Sequence, residues 1–172
     1  MSEALSLEGI PADELEAFLE FRAKVASANI DDQTLLATDY LNHFNEIVML
    51  LEMVADMPEI LEDAKAWQPK GYCDHFRDST FSDKDLAIEA YSRVPSKFRL
   101  PFEETVEHIN RLIAQSLGHL EDTIGTGDTD LLRMKASACS RAVQKLMDVA
   151  SAIIHGSSVT MQQEEIDELL GF

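Results

Sequence analysis

Residues 101–156 read PFEETVEHINRLIAQSLGHLEDTIGTGDTDLLRMKASACSRAVQKLMDVASAIIHG. Phe102, Val106, Ile109, Leu112, Ile113, Leu117 and Leu120 recur at intervals of three and four, the spacing that puts side chains on one helical face. Pro101 is preset for a first helical turn, and Gly125 and Gly127 supply a stop. Asp128 then offers a cap for a second helix through Leu131, Leu132, Cys139, Val143, Leu146, Ala150 and Ile153, ending at Gly156. Two long amphipathic helices around a short GTGD turn make a helical hairpin.

Working outward, Pro11 followed by Asp13, Glu14 and Glu16 marks a helix start, and Leu15, Phe18, Leu19 and Val25 carry it toward Ala28. Asn29 and Asp31 are caps for a longer helix whose stripe includes Leu36, Tyr40, Phe44, Ile47, Leu51 and Val54, to about Asp56. Pro58 restarts a helix that reaches Trp67. Residues 68–82 lose the period and read as an irregular connector anchored by Tyr72, Phe76 and Phe81. Ser82 and Asp85 open a short helix that ends near Pro95. Seven Gly and five Pro in 172 residues are too few for a turn-rich β protein, and 45% apolar residues suffice for a core. The predicted fold class is all-α: residues 1–156 form a bundle of about four main helices, and residues 157–172 form a flexible joint and a C-terminal docking helix.

Fourteen Lys and Arg face thirty-two Asp and Glu, a net charge of −18 that repels nucleic-acid phosphate and anionic lipid alike. In residues 64–100 alone the cations Lys65, Lys70, Arg77, Lys84, Arg93, Lys97 and Arg99 outnumber the acids. An acidic body of this kind suits a partner protein with a basic surface. The N-terminal residues lack the charge and apolar pattern of a signal peptide, and no apolar run approaches a membrane span, so the expected location is cytoplasmic. Cys73 and Cys139 read as reduced thiols.

The sequence has no GxSxG, HExxH, P-loop or GxGxxG pattern. No cofactor is expected. Asp39, His43 and Glu46, at helical spacing, are the residues of an alternative reading as a metal-binding four-helix bundle. Glu104, His108, His119 and His155 fall away from the apolar stripes, leaving His43 and His75 as the histidines able to turn inward.

The final residues, Gln163-Glu-Glu-Ile-Asp-Glu-Leu-Leu-Gly171, are built as a short helix. Thr160 and Gln163 have capping-box spacing, Glu164 and Glu165 favour the positive helix end, and Ile166, Leu169 and Leu170 share one face, while the acids Glu164, Glu165, Asp167 and Glu168 favour basic groups at the rim of an apolar groove. A helix this short cannot offset its nucleation cost in water, so it must dock on its own bundle or on a partner.

This segment resembles the peptide by which the flagellar switch protein FliM binds the chemotaxis regulator CheY. Its C-terminal placement, closing Leu-Leu-Gly-Phe, is closer to the CheZ-type chemotaxis phosphatases, which tether such a helix to a long helical hairpin. The resemblance implies a response-regulator-binding protein of chemotaxis or two-component signalling. Its partner would be a CheY-like receiver domain, gripped by Gln163, Ile166, Asp167, Leu169, Leu170 and Phe172. Neither nucleic acid nor membrane is a partner in this reading, and pairing of two chains as a homodimer is left open.

The alternative it implies is a phosphatase, because that family carries an Asp and, four residues later, a Gln on the outside of its hairpin. Ser140 and Gln144 are the nearest match, with Ser140 standing where the Asp is expected, so the acid's interaction with a partner lysine is missing. Glu107 and Asn110 resemble the Glu-x-x-Asn pair of another group of chemotaxis phosphatases.

Overall fold

The computed structural model describes residues 7–171. Among these the fold is all-α, with no strand. Eight α-helices follow in chain order: α1 (Ala12–Arg22), α2 (Asn42–Met53), α3 (Ile60–Ala66), α4 (Tyr72–Asp78), α5 (Lys84–Tyr91), α6 (Ser96–Thr126), α7 (Thr129–Ile154) and α8 (Gln163–Leu170). No helix among the described residues is long and apolar enough to cross a membrane.

The helices divide into two compact units. The first takes the chain up to His43, Lys70–Glu104 and Ala150–Thr160; the second takes Phe44–Pro69, Thr105–Val149 and the chain from Met161.

In the first unit the packing is dominated by rings. Phe18, Phe21, Tyr40, Phe76, Phe98 and Phe102 are almost completely buried. Tyr72 stacks on Tyr91 at 4.7 Å and meets Phe76 edge-on at 4.8 Å, separations at which aromatic pairs attract beyond simple area burial. Each buried phenol has a partner. Tyr72 Oη accepts the Ala37 N–H at 2.8 Å, and Tyr40 Oη donates to the Lys70 carbonyl at 2.6 Å.

The segment expected to be one helix from Asn29 onward begins differently. Asp31 accepts the Gln33 N–H at 2.8 Å, and Thr34 Oγ1 donates to the Ile154 carbonyl at 2.6 Å while accepting the Leu36 N–H at 3.2 Å. These side-chain bonds replace helical ones, which is how Asp and Thr favour turns over helices. Leu35 takes a φ of 68° and is fully buried, so the left-handed backbone is held by the side chain's place in the core. A 3₁₀ turn, Thr38–Leu41, precedes α2.

Two further expectations are corrected. Residues 68–82 are not an irregular connector throughout, because Tyr72–Asp78 is helical and buries Tyr72 and Phe76. Pro101 does not open its helix but lies inside α6, which starts at Ser96 with the Phe98 and Arg99 N–H groups both bonded to the Pro95 carbonyl. A proline at that depth removes one intrahelical bond, a loss that burial of Phe98 and Phe102 on either side offsets.

The second unit is made of helix faces. Phe44, Ile47, Leu51 and Val54 from the α2 segment, Ile109, Leu112, Ile113 and Leu120 from α6, and Cys139, Val143 and Leu146 from α7 are buried. Gly127, with φ 75°, turns α6 into α7, and Asp128 Oδ1 accepts the Leu131 N–H at 3.0 Å. Of the two glycines expected to stop the helix, Gly125 lies inside α6 and Gly127 makes the turn, with the expected aspartate cap after it.

Candidate functional site

The pair Ser140 and Gln144 lies on α7 in the second unit. Their separation of four brings both side chains to one side of the helix, but their environments differ. Ser140 is 1% exposed, correcting the expectation of a residue on the outside of the hairpin, whereas Gln144 is exposed. Ser140 Oγ donates to Glu52 Oε1 at 2.9 Å, and Gln144 Nε2 lies 3.0 Å from Ser140 Oγ and 3.4 Å from the same Glu52 oxygen.

Glu52, which sequence reasoning missed, therefore brings a carboxylate from α2 to the place where Ser140 lacks one. Its only sequence signal is an acid flanking an apolar stripe, a pattern shared by many solvated glutamates. Because the Gln144 amide nitrogen points at Glu52 and Ser140, its carbonyl oxygen is the end left to meet a donor from outside. Next to this trio is a depression of about 290 Å³ lined by Glu52, Ala55, Arg133, Ala136 and Ser137, with Arg133 paired to Asp56 at 2.7 Å.

The C-terminal helix also belongs to the second unit. Glu165 Oε1 accepts the Gln162 N–H at 3.2 Å, so the capping interaction starts two residues after the expected Thr160. Gly171 closes the helix at φ 70°. Ile166 is 2% and Leu170 8% exposed, Leu169 is half-buried, and Glu164, Asp167 and Glu168 are exposed. Two of the three proposed partner anchors are thus covered by the chain's own fold. Gln163 Nε2 donates to Asp167 at 2.8 Å, and its carbonyl oxygen accepts from Arg111 at 3.2 Å. Arg111 also pairs with Glu107 at 2.9 Å. Phe172, the last of the proposed partner residues, lies outside the described residues.

Glu107 and Asn110 differ in their environments. Glu107 is exposed and held by Arg111, while the Asn110 amide oxygen is buried without a hydrogen-bond partner.

The alternative metal ligands do not converge. Asp39 sits in the 3₁₀ turn, where it pairs with His75 Nε2 at 3.1 Å and accepts from Asn42 at 3.1 Å. His43 Nε2 accepts the Lys70 N–H at 3.0 Å, and Glu46 is exposed. The 3₁₀ turn breaks the α-helical spacing on which that trio depended. Among the described residues no three His, Cys, Asp or Glu side chains are grouped to hold a metal ion. Burial, with the neighbouring His75 and Lys70, lowers the pKa of His43 to about 4. Burial likewise raises the Cys139 thiol.

Compared with protein-family models, with curated proteins and with solved structures, the chain matches none.

Proposed function

We propose that the chain is a response-regulator-binding protein of chemotaxis or two-component signalling, recruiting a CheY-like receiver domain through α8. The observation that carries this reading is the construction of α8. It is an eight-residue helix with its own start at Gln162 and its own left-handed stop at Gly171, and a nonhelical stretch joins it to α7. Its acids face outward and its anchors inward, the amphipathic layout that helix-in-groove binding uses.

Since Ile166 and Leu170 are buried at home, receiver binding requires α8 to leave its seat. The apparent affinity is then the intrinsic affinity reduced by the fraction of molecules with α8 released. The test is calorimetric titration of the full chain, and of the chain ending at Thr160, with a purified CheY-like receiver domain in its phosphorylated and unphosphorylated states. Shortening should abolish binding; equal affinity of the two chains overturns the proposal.

A second reading, receiver phosphatase activity, is supported by Glu52. Its carboxylate stands beside Ser140 and Gln144, so an acid and an outward-facing amide are present together although Ser140 itself is no acid. The resemblance assigns to such an amide the orientation of water at a phosphoaspartate. Decay of phosphorylated receiver, followed with the wild-type chain, Gln144→Ala and Glu52→Gln, decides it: acceleration lost in Gln144→Ala supports this reading, and identical decay with and without the protein removes it.

A further inference from the structure

Met49, Met53 and Met57 follow one another at four-residue intervals, and their exposures are 53%, 37% and 44%. The first two lie on α2, and the Met57 N–H bonds to the Met53 carbonyl at 3.0 Å, which carries the same helical step past the end of α2. The row runs along the side of the helix away from Phe44, Ile47 and Leu51, which are buried. At helical rise it is about 12 Å long, or roughly two turns.

Single apolar side chains scattered over a surface are ordinary. Three in register on one helix form a continuous strip that the chain's own packing leaves in water. Methionine suits such a strip, because its unbranched thioether adapts to the shape of the apolar side chains that meet it.

The charge around the strip selects what can cover it. Residues 42–64 contain no Lys or Arg. Glu46 stands three residues before Met49 and Asp56 three after Met53, neighbouring positions on a helix surface, and both are exposed, as is Glu59. Arg133 of α7 pairs with Asp56, whereas Glu46 and Glu59 enter no ion pair among the described residues. A second copy of this chain would set these acids against themselves, and α8 would bring its exposed Glu164, Asp167 and Glu168. An apolar strip with an acidic rim fits the opposite construction, apolar anchors flanked by Lys and Arg.

We propose that the face formed by Met49, Met53 and Met57 docks a basic amphipathic helix of another protein, its apolar anchors on the methionines and its cations toward Glu46 and Glu59. The face shares no residue with α8, so this interaction stands apart from receiver recruitment.

The probe is a designed peptide of about eighteen residues with Leu on one helical face and Lys on the other, and its control is a scrambled peptide of the same composition. The full chain, carrying methyl-labelled methionine, is titrated with each at about 0.15 M ionic strength, where attraction beyond about 8 Å is screened. Saturation at one amphipathic peptide per chain is expected, with methyl shifts centred on Met49, Met53 and Met57 and the scrambled peptide bound at least about tenfold more weakly. Met49→Gln/Met53→Gln keeps good helix formers at exposed positions and should weaken the amphipathic peptide about tenfold. Leu19→Gln, which removes an exposed apolar side chain from α1 in the first unit, should bind like wild type. Thermal unfolding verifies the fold of each variant, and the wild-type methyl shifts decide the matter should the double variant unfold. Equal binding of the two peptides overturns the proposal, as do methyl shifts away from this row or an equal loss in Leu19→Gln. Self-association of the chain that Met49→Gln/Met53→Gln abolishes, followed by sedimentation, would assign the face to a second copy and overturn it as well.

Discussion

Ser140 and Glu52, 88 residues apart in sequence, are joined by a hydrogen bond of 2.9 Å. The serine is buried and the glutamate exposed, so the bond satisfies a hydroxyl that has left water while the carboxylate keeps part of its hydration. This makes Glu52 the group that fixes the orientation of Ser140, and through both of them the Gln144 amide.

A double-mutant cycle on this pair should therefore show coupling. Ser140→Ala and Glu52→Ala, alone and together, are predicted to give an interaction energy of about 1 kcal/mol in urea unfolding, the net worth of an ordinary hydrogen bond, because the exposed carboxylate keeps competing with water. Strict additivity would show that the bond contributes nothing.

Leu169 and Leu170 should respond differently in receiver binding. Leu170 is buried in the home seat of α8, so Leu170→Ala weakens both the self-docked and the partner-docked states and its two effects partly cancel. Leu169 is half-buried at home, and Leu169→Ala should cost more than about 1 kcal/mol of receiver affinity, as truncation of an interface anchor does. Titration of both variants against one receiver domain checks the order.

Arg111→Ala removes the contact to Gln163 and should free α8. Hydrogen exchange at the amides of residues 166–170 should accelerate relative to α7, and receiver affinity should rise rather than fall. Unchanged exchange would mean that burial of Ile166 and Leu170 alone holds the helix.

Gly156 follows α7 at φ 112°, where a Cβ would also come within 2.7 Å of Gln33 Oε1. Gly156→Ala is expected to lower stability by about 1–2 kcal/mol, mostly from the backbone conformation, since the Gln33 side chain can move. Gln33→Ala/Gly156→Ala should recover only a small part of the loss in the same unfolding measurement.

His43 predicts an acid sensitivity with a defined direction. Its pKa is about 4 in the folded chain against 6.5 ordinarily, so between these values the unfolded chain takes up the proton that the folded one refuses. Stability contributed by the neutral ring is thus complete above pH 6.5, lost as pH falls toward 4, and constant below. His43→Gln keeps an acceptor for the Lys70 N–H and removes the titration. Its unfolding midpoint in urea should vary less than that of wild type across this window.

The hairpin of α6 and α7 was legible because apolar residues recur over many turns and a glycine and an aspartate mark the junction. The short α8 was legible from the three- and four-residue spacing of Ile166, Leu169 and Leu170, although its start lies at Gln162 rather than Thr160. Residues 29–41 were not, because Thr34 bonds to Ile154, 120 positions away, and a local period carries no trace of such a bond. Tyr72–Asp78 was hidden by a polar exterior in which Tyr72 and Phe76 are the only strong apolar pair at helical spacing. The burial of Ser140 escaped notice because a serine beside an apolar stripe gives no sign of which side of the boundary it occupies, and Glu52 gave none of its distant partner.

Each compact unit draws on three separate stretches of the chain, and both include stretches beyond residue 149. During synthesis, neither can assemble its full complement of segments from the nascent amino-terminal portion alone. Final folding must wait until Ala150 and the residues after it have left the ribosome, and the half-made polypeptide meanwhile displays Phe18, Tyr40 and Leu51 to whatever chaperone is at hand.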